Sequence, residues 1–206
     1  MNQSGRSMVE MLGVLAIIGV LSVGGIAGYS KAMHKYKVNK FSDQMTHIIA
    51  NIQASFGVQG TTDGLNNENI KKMGLVPSEM YKTKDSDYPE HFWGGQISFS
   101  KTYLGSGIVK SDNIFMISMN NIPKDVCVTM LTADWGTDLY GMGGDFWGGA
   151  PSTGGYDWKT ATENFAITGD KNYPAPFSVA RATKVCTIAD KQGATDQMAL
   201  FWYFKL

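Results

Sequence analysis

Charge is scarce in this chain of 206 residues and neither sign prevails: 18 Lys and Arg face 18 Asp and Glu, together 17% of the sequence. Basic residues do not gather into the broad one-sided patch that a polyanion requires, so nucleic acid is not an evident partner. Histidine is almost missing, and His34, His47 and His91 are scattered. No H-E-x-x-H, G-x-S-x-G or GK[ST] pattern occurs, so neither a catalytic constellation nor a metal or cofactor site stands out. Only two cysteines are present, Cys127 and Cys186, without CxxC or Cys/His metal spacing. They read either as one disulfide in an oxidising compartment or as two unpaired buried thiols. A disulfide closing that loop would stabilise by about 4 kcal/mol through lost denatured-state entropy.

What is abundant comes first in the chain. Residues 8–28 are apolar except for Glu10 and Ser22, long enough to cross a hydrocarbon core as a helix. An ordinary secretory signal is one reading, with Arg6 as its basic region and residues 25–27 as its cleavage site. Glu10 argues against it, because a carboxylate in an apolar run costs a few kcal/mol in a bilayer and would be pointless in a discarded peptide. The helical pattern then continues. Phe41, Met45, Ile48, Ile49, Ile52 and Phe56 recur on one face, with Lys40, Asp43, Gln44, His47, Asn51 and Gln53 on the other, and Gly57 is a fitting stop. A helix over 6–56 would run about 75 Å. Gly19, Gly24, Gly25 and Gly28 lie within it, where small residues let apolar helices approach closely and where Gly24-Gly25 marks a point of possible loosening.

The remainder, 58–206, reads as an α+β head with frequent turn residues and no repeat. A short helix is expected at 67–73, strands at 96–100, 107–109 and 114–119, and a helix at 122–131 carrying Cys127, with Pro123 in its first turn. Cys186 lies in 180–188, ahead of an aromatic strand-like run at 198–204. Between them, residues 134–157 thread Asp134, Asp138, Asp145 and Asp157 among Gly141, Gly143, Gly144, Gly148, Gly149, Gly154 and Gly155. Their spacing matches no calcium loop, and an exposed flexible connection is the expected reading. Trp135, Tyr140, Phe146, Trp147, Tyr156 and Trp158 share this stretch, as domain packing, a subunit contact or a ligand-recognition surface.

Gly5-Arg6-Ser7-Met8-Val9-Glu10, followed by the apolar residues 11–15, resembles the class III signal of type IV prepilins and pseudopilins. The resemblance implies that a prepilin peptidase cuts between Gly5 and Arg6 and that the apolar helix stays on the mature protein. It divides the chain into a leader at 1–5, a spine helix at 6–57 whose residues 8–28 cross the membrane, and a head at 58–206. Arg6 stands where most members carry an apolar residue that becomes N-methylated, and the leader lacks the usual basic residue before the glycine. An acid inside a membrane calls for a partner, and the Glu10 carboxylate would meet the free amine of Arg6 on a neighbouring subunit. Cys127 and Cys186 also stand where type IVb pilins join a short helix to a segment just ahead of the last strand, bounding a region at 127–186.

The implied architecture is α+β, a long N-terminal spine packed on an antiparallel-sheet head. The implied role is a non-enzymatic structural subunit of a type IV pilus, polymerising with itself for adhesion, aggregation or conjugation. The alternative is a minor pilin or type II secretion pseudopilin. Implied partners are the prepilin peptidase, the inner-membrane assembly machinery and a host-surface or recipient-cell ligand. The head would face the periplasm before assembly and the exterior afterwards.

Overall fold

A computed structural model describes residues 4–83, 85–101, 113–145, 164–187 and 198–206. The helical periodicity read from the first 56 residues is realised as one helix, α1, Ser4–Phe56. The chain divides into two units, Met1–Lys40 and Phe41–Leu206, so the final turns of α1 belong to the second.

In that second unit the apolar stripe of α1 is core: Phe41, Met45, Ile48 and Ile52 are fully buried, and Ile49 and Phe56 nearly so. Gln44, expected on the wet face, is also buried, where its amide donates to Glu79 Oε1 at 3.4 Å. α1 ends ahead of Gly57, whose backbone position admits only glycine because a Cβ there would overlap the carbonyl oxygen of Gln53. A short helix α2, Asn67–Lys72, follows, its amide capped by the Asn66 side chain, which accepts from the N–H of Asn69 at 2.9 Å.

Among the described residues, five strands form one antiparallel sheet: β1 Ile97–Lys101, β2 Ile114–Ile122, β3 Leu139–Asp145, β4 Phe165–Ile167 and β5 Met198–Lys205, in the order β1-β2-β5-β3-β4. The last strand of the chain therefore lies in the middle. Its two neighbours take both edges of its backbone, with Trp202 opposite Ile117 on one side and Met142 on the other. Residues 198–204 are buried without alternation, which explains why they are apolar at successive positions rather than at every second one.

Two helices close the sheet at one end: α3, Lys124–Thr132, and α4, Val179–Cys186. Pro123 is the N-cap of α3, its fixed φ suited to a helix start. Ser178 caps α4 by accepting from the N–H of Arg181. The strand expected at 107–109 and the aromatics at 146, 147, 156 and 158 lie outside the described residues.

Of the stretch 134–157, expected to be a flexible connection, residues 139–145 form strand β3, and residues 146–157 lie outside the described residues. The glycines of β3 are packing residues. A Cβ on Gly143 would lie 2.6 Å from the Phe201 ring and 2.7 Å from the Asn164 carbonyl oxygen, and one on Gly141 2.8 Å from the Phe165 ring. Aromatic side chains from β4 and β5 lie across the strand where side chains of its own would stand.

Candidate functional site

Residues 8–30 of α1 are exposed throughout. Met8, Val9, Val20 and Val23 each show more than 70% of their surface, and Leu12, Leu15, Ile17, Leu21 and Ile26 show 60% or more. Leaving a large aliphatic side chain in water forgoes about 1.5–3 kcal/mol, so a run of them requires lipid or other helices around it. The helix is long and apolar enough to cross a membrane. Glu10 lies on it, exposed, and is the sole charged residue from Met8 to Ser30. Gly5 and Arg6 fall in the first turn of α1, and Glu10 follows Arg6 by four residues. Gly13, Gly19, Gly24, Gly25 and Gly28 have nothing within 4 Å of where a Cβ would stand, unlike the glycines of β3, and α1 is continuous through all five.

Sequence reasoning left Cys127 and Cys186 as a disulfide or as free thiols, and the structure brings them together. Cys127 on α3 and Cys186 on α4 are bonded, with Cα atoms 6.0 Å apart and a sequence separation of 59. The bridge clamps α3 to α4, and further contacts tie α3 to the sheet and to the segment leading into α4. Trp135 donates its indole N–H to the Met130 carbonyl oxygen at 2.9 Å and sets its ring edge-on to Trp202 at 5.5 Å. The N–H of Phe177 donates to the Leu131 carbonyl oxygen at 2.9 Å.

Within the segment 127–186, Asp134 Oδ1 accepts from the N–H of Gly136 at 3.0 Å, which makes the first acid of the Gly/Asp stretch a turn-former. Among the described residues no three His, Cys, Asp or Glu side chains gather as a metal would need.

The profile of the Bundlin family matches residues 31–205. The chain belongs to the bundlin family, a family of pilins. A comparison with curated proteins finds no match. Bundlin membership makes this a pilus subunit of structural type. The matched region begins after the apolar run, so the bundlin assignment rests on the head and the outer part of α1. The case for residues 1–30 rests on their own chemistry.

Sequence reasoning missed two polar residues that organise the head. The buried amide of Asn67 donates to the carbonyl oxygens of Ile97 at 3.1 Å and Asp87 at 3.3 Å, while its oxygen accepts from the N–H of Phe99 at 2.9 Å. Buried His91 accepts at Nδ1 from the N–H of Trp93 at 3.2 Å and donates from Nε2 to the Asn120 carbonyl oxygen at 2.8 Å. Those two partners select the neutral Nε2–H tautomer. Burial pushes its pKa from 6.5 down to about 4. Neither residue has a periodic or motif signal that could have singled it out.

Proposed function

We propose that this chain is a type IVb pilin, made as a class III prepilin, that polymerises through its N-terminal helix into a surface filament. The observation that carries the reading is the exposed apolar stretch 8–30 with one carboxylate near its start, joined to a bundlin-family head. Cleavage between Gly5 and Arg6 would remove the leader 1–5, leaving a spine at 6–57 whose residues 8–28 span the inner membrane and a head at 58–206 in the periplasm. Gly5 at the cleavage position and Glu10 five residues later support this division.

During assembly the apolar helices exchange lipid contact for contact with one another. Lipid tails and neighbouring helices are equally apolar, so this exchange does not by itself choose a register. The Glu10 carboxylate supplies the choice by pairing with the Arg6 amine of an adjacent subunit in low dielectric. A prepilin peptidase and the inner-membrane assembly machinery are the implied partners, and the disulfide-bounded region 127–186 is the part presented outward for adhesion, aggregation or conjugation. The disulfide favours a pilus subunit over a secretion pseudopilin, in which it is usually absent.

Intact-mass analysis and N-terminal sequencing of sheared filaments, with and without the leader peptidase, test the reading. The expected chain is abundant in filaments, begins at Arg6, and is two hydrogens lighter than its reduced form; the same spectrum reads any methylation of Arg6. A soluble chain beginning near Tyr29 would overturn the spine. Correct cleavage with trace filament content would assign a minor pilin instead.

A further inference from the structure

Between Glu10 and Asp43 the chain carries no acid, yet Lys31, Lys35, Lys37 and Lys40 follow directly on the apolar run. On α1, Lys31 and Lys35 are exposed and lie one turn apart on one stripe. Tyr29 and Tyr36, 68% and 55% exposed, lie two turns apart on another. The apolar stretch 8–29 rises about 33 Å at 1.5 Å per residue, close to the roughly 30 Å of a hydrocarbon core. When that stretch spans a bilayer, Tyr29 reaches the interface and Lys31 stands in the headgroup layer, while Lys35 and Lys37, about 9 and 12 Å beyond Tyr29, point back toward it along the helix.

We propose that residues 29–37 form a headgroup belt in which Lys31, Lys35 and Lys37 bind anionic phospholipids at the C-terminal end of the span. This rests on the membrane-spanning reading of α1 given above. Lysine stems lie along the apolar boundary while their ammonium groups reach phosphate, and amphipathic tyrosines settle at the same level. A lipid surface is the occupant because the belt adjoins the span, so headgroups surround it before any other subunit arrives. It also answers an oddity of charge. In the proposed orientation these lysines stand on the translocated side, against the positive-inside bias, and phosphate binding there offsets that penalty. The belt would fix how deep the helix sits, and with it the depth at which Glu10 awaits a neighbour.

The test uses the full chain in phosphatidylcholine vesicles doped with spin-labelled phosphatidylglycerol or phosphatidylcholine, with electron paramagnetic resonance reading the lipid held at the protein. A preference of about fivefold for phosphatidylglycerol is expected at low salt, the factor that one surface lysine supports. It should vanish at 1 M salt, where the screening length is about 3 Å, and in the triple variant Lys31→Gln, Lys35→Gln, Lys37→Gln. No preference in the natural chain, or one that survives in the variant, overturns the belt. A variant that keeps the lipid preference but no longer forms filaments would overturn it in favour of an acidic contact on a second subunit. Alkaline extraction separates the two readings: protein washed from the vesicles refutes the span, whereas protein retained without lipid preference refutes the belt alone.

Discussion

At the scale of single residues, the buried side chains of Asn67 and His91 tie separate backbone segments of the head together. His91 shows the consequence for pH. Its folded pKa of about 4 lies below the 6.5 of a free imidazole, so protons bind the unfolded chain more readily. Its contribution is therefore complete above pH 6.5 and is lost as pH falls toward 4, by about 3 kcal/mol in all. Protonation would also turn Nδ1 from acceptor to donor against the N–H of Trp93. Urea midpoints measured across this range should fall with acidity in the natural protein. In His91→Phe the part of that slope due to the imidazole should disappear, on a baseline lower by about 2 kcal/mol because Asn120 O and Trp93 N–H lose their partner.

At the scale of elements, the sheet is defined by what lies across and beside its strands. Gly143→Ala should cost about 1–3 kcal/mol, since the added methyl meets both the Phe201 ring and a backbone carbonyl that cannot swing away. Gly19→Ala, with open space around it, should leave head stability unchanged in the same denaturation experiment. Replacing both cysteines by serine should lower stability by about 4 kcal/mol, because the loop closed over a sequence separation of 59 regains its freedom when unfolded. Non-reducing denaturation of the two proteins side by side reads the difference.

Backbone groups on both edge strands also have partners outside the sheet. On β1, Asn67 takes Ile97 O and Phe99 N, and Ile97 N donates to Pro89 O at 2.8 Å. On β4, Ile167 N donates to Tyr173 O at 3.1 Å and Arg181 Nη2 to Phe165 O at 3.0 Å. Heads crowded on a filament thus present no open strand at these positions for stray pairing.

At the scale of the whole molecule, a soluble-type core and an uncovered apolar helix occur in one chain, and each demands its own surroundings. The head buries most of its large apolar side chains in one core, whereas residues 8–30 leave theirs to lipid or to other copies. Glu10→Ala should therefore leave membrane insertion and the head fold intact while abolishing filaments, because the apolar contacts persist and the register signal is gone. Immunoblots of sheared filaments against alkaline-extracted membranes measure both. Normal piliation of that variant would remove the role assigned to Glu10.

The sequence by itself determined the features that depend on local order. The length and purity of the apolar run, the stripe from Phe41 to Phe56, the short helices around Asn67 and Cys127, and the terminal strand each carry their signal within a few turns or alternations. Only the tertiary structure decided what depends on residues distant along the chain. Gly141 and Gly143 look like a loop locally and become part of a strand because Phe165 and Phe201 arrive from elsewhere to occupy the space. Asn67 and His91 look like ordinary polar residues until the backbones of β1 and β2 supply their partners. The disulfide lies between these cases: two cysteines permit it, but the packing of α3 against α4 brings the sulfurs together. The physical reason is that helix and span signals are set by near neighbours, whereas sheet order, buried polar pairing and the space denied to a Cβ are set by contacts between segments far apart in sequence.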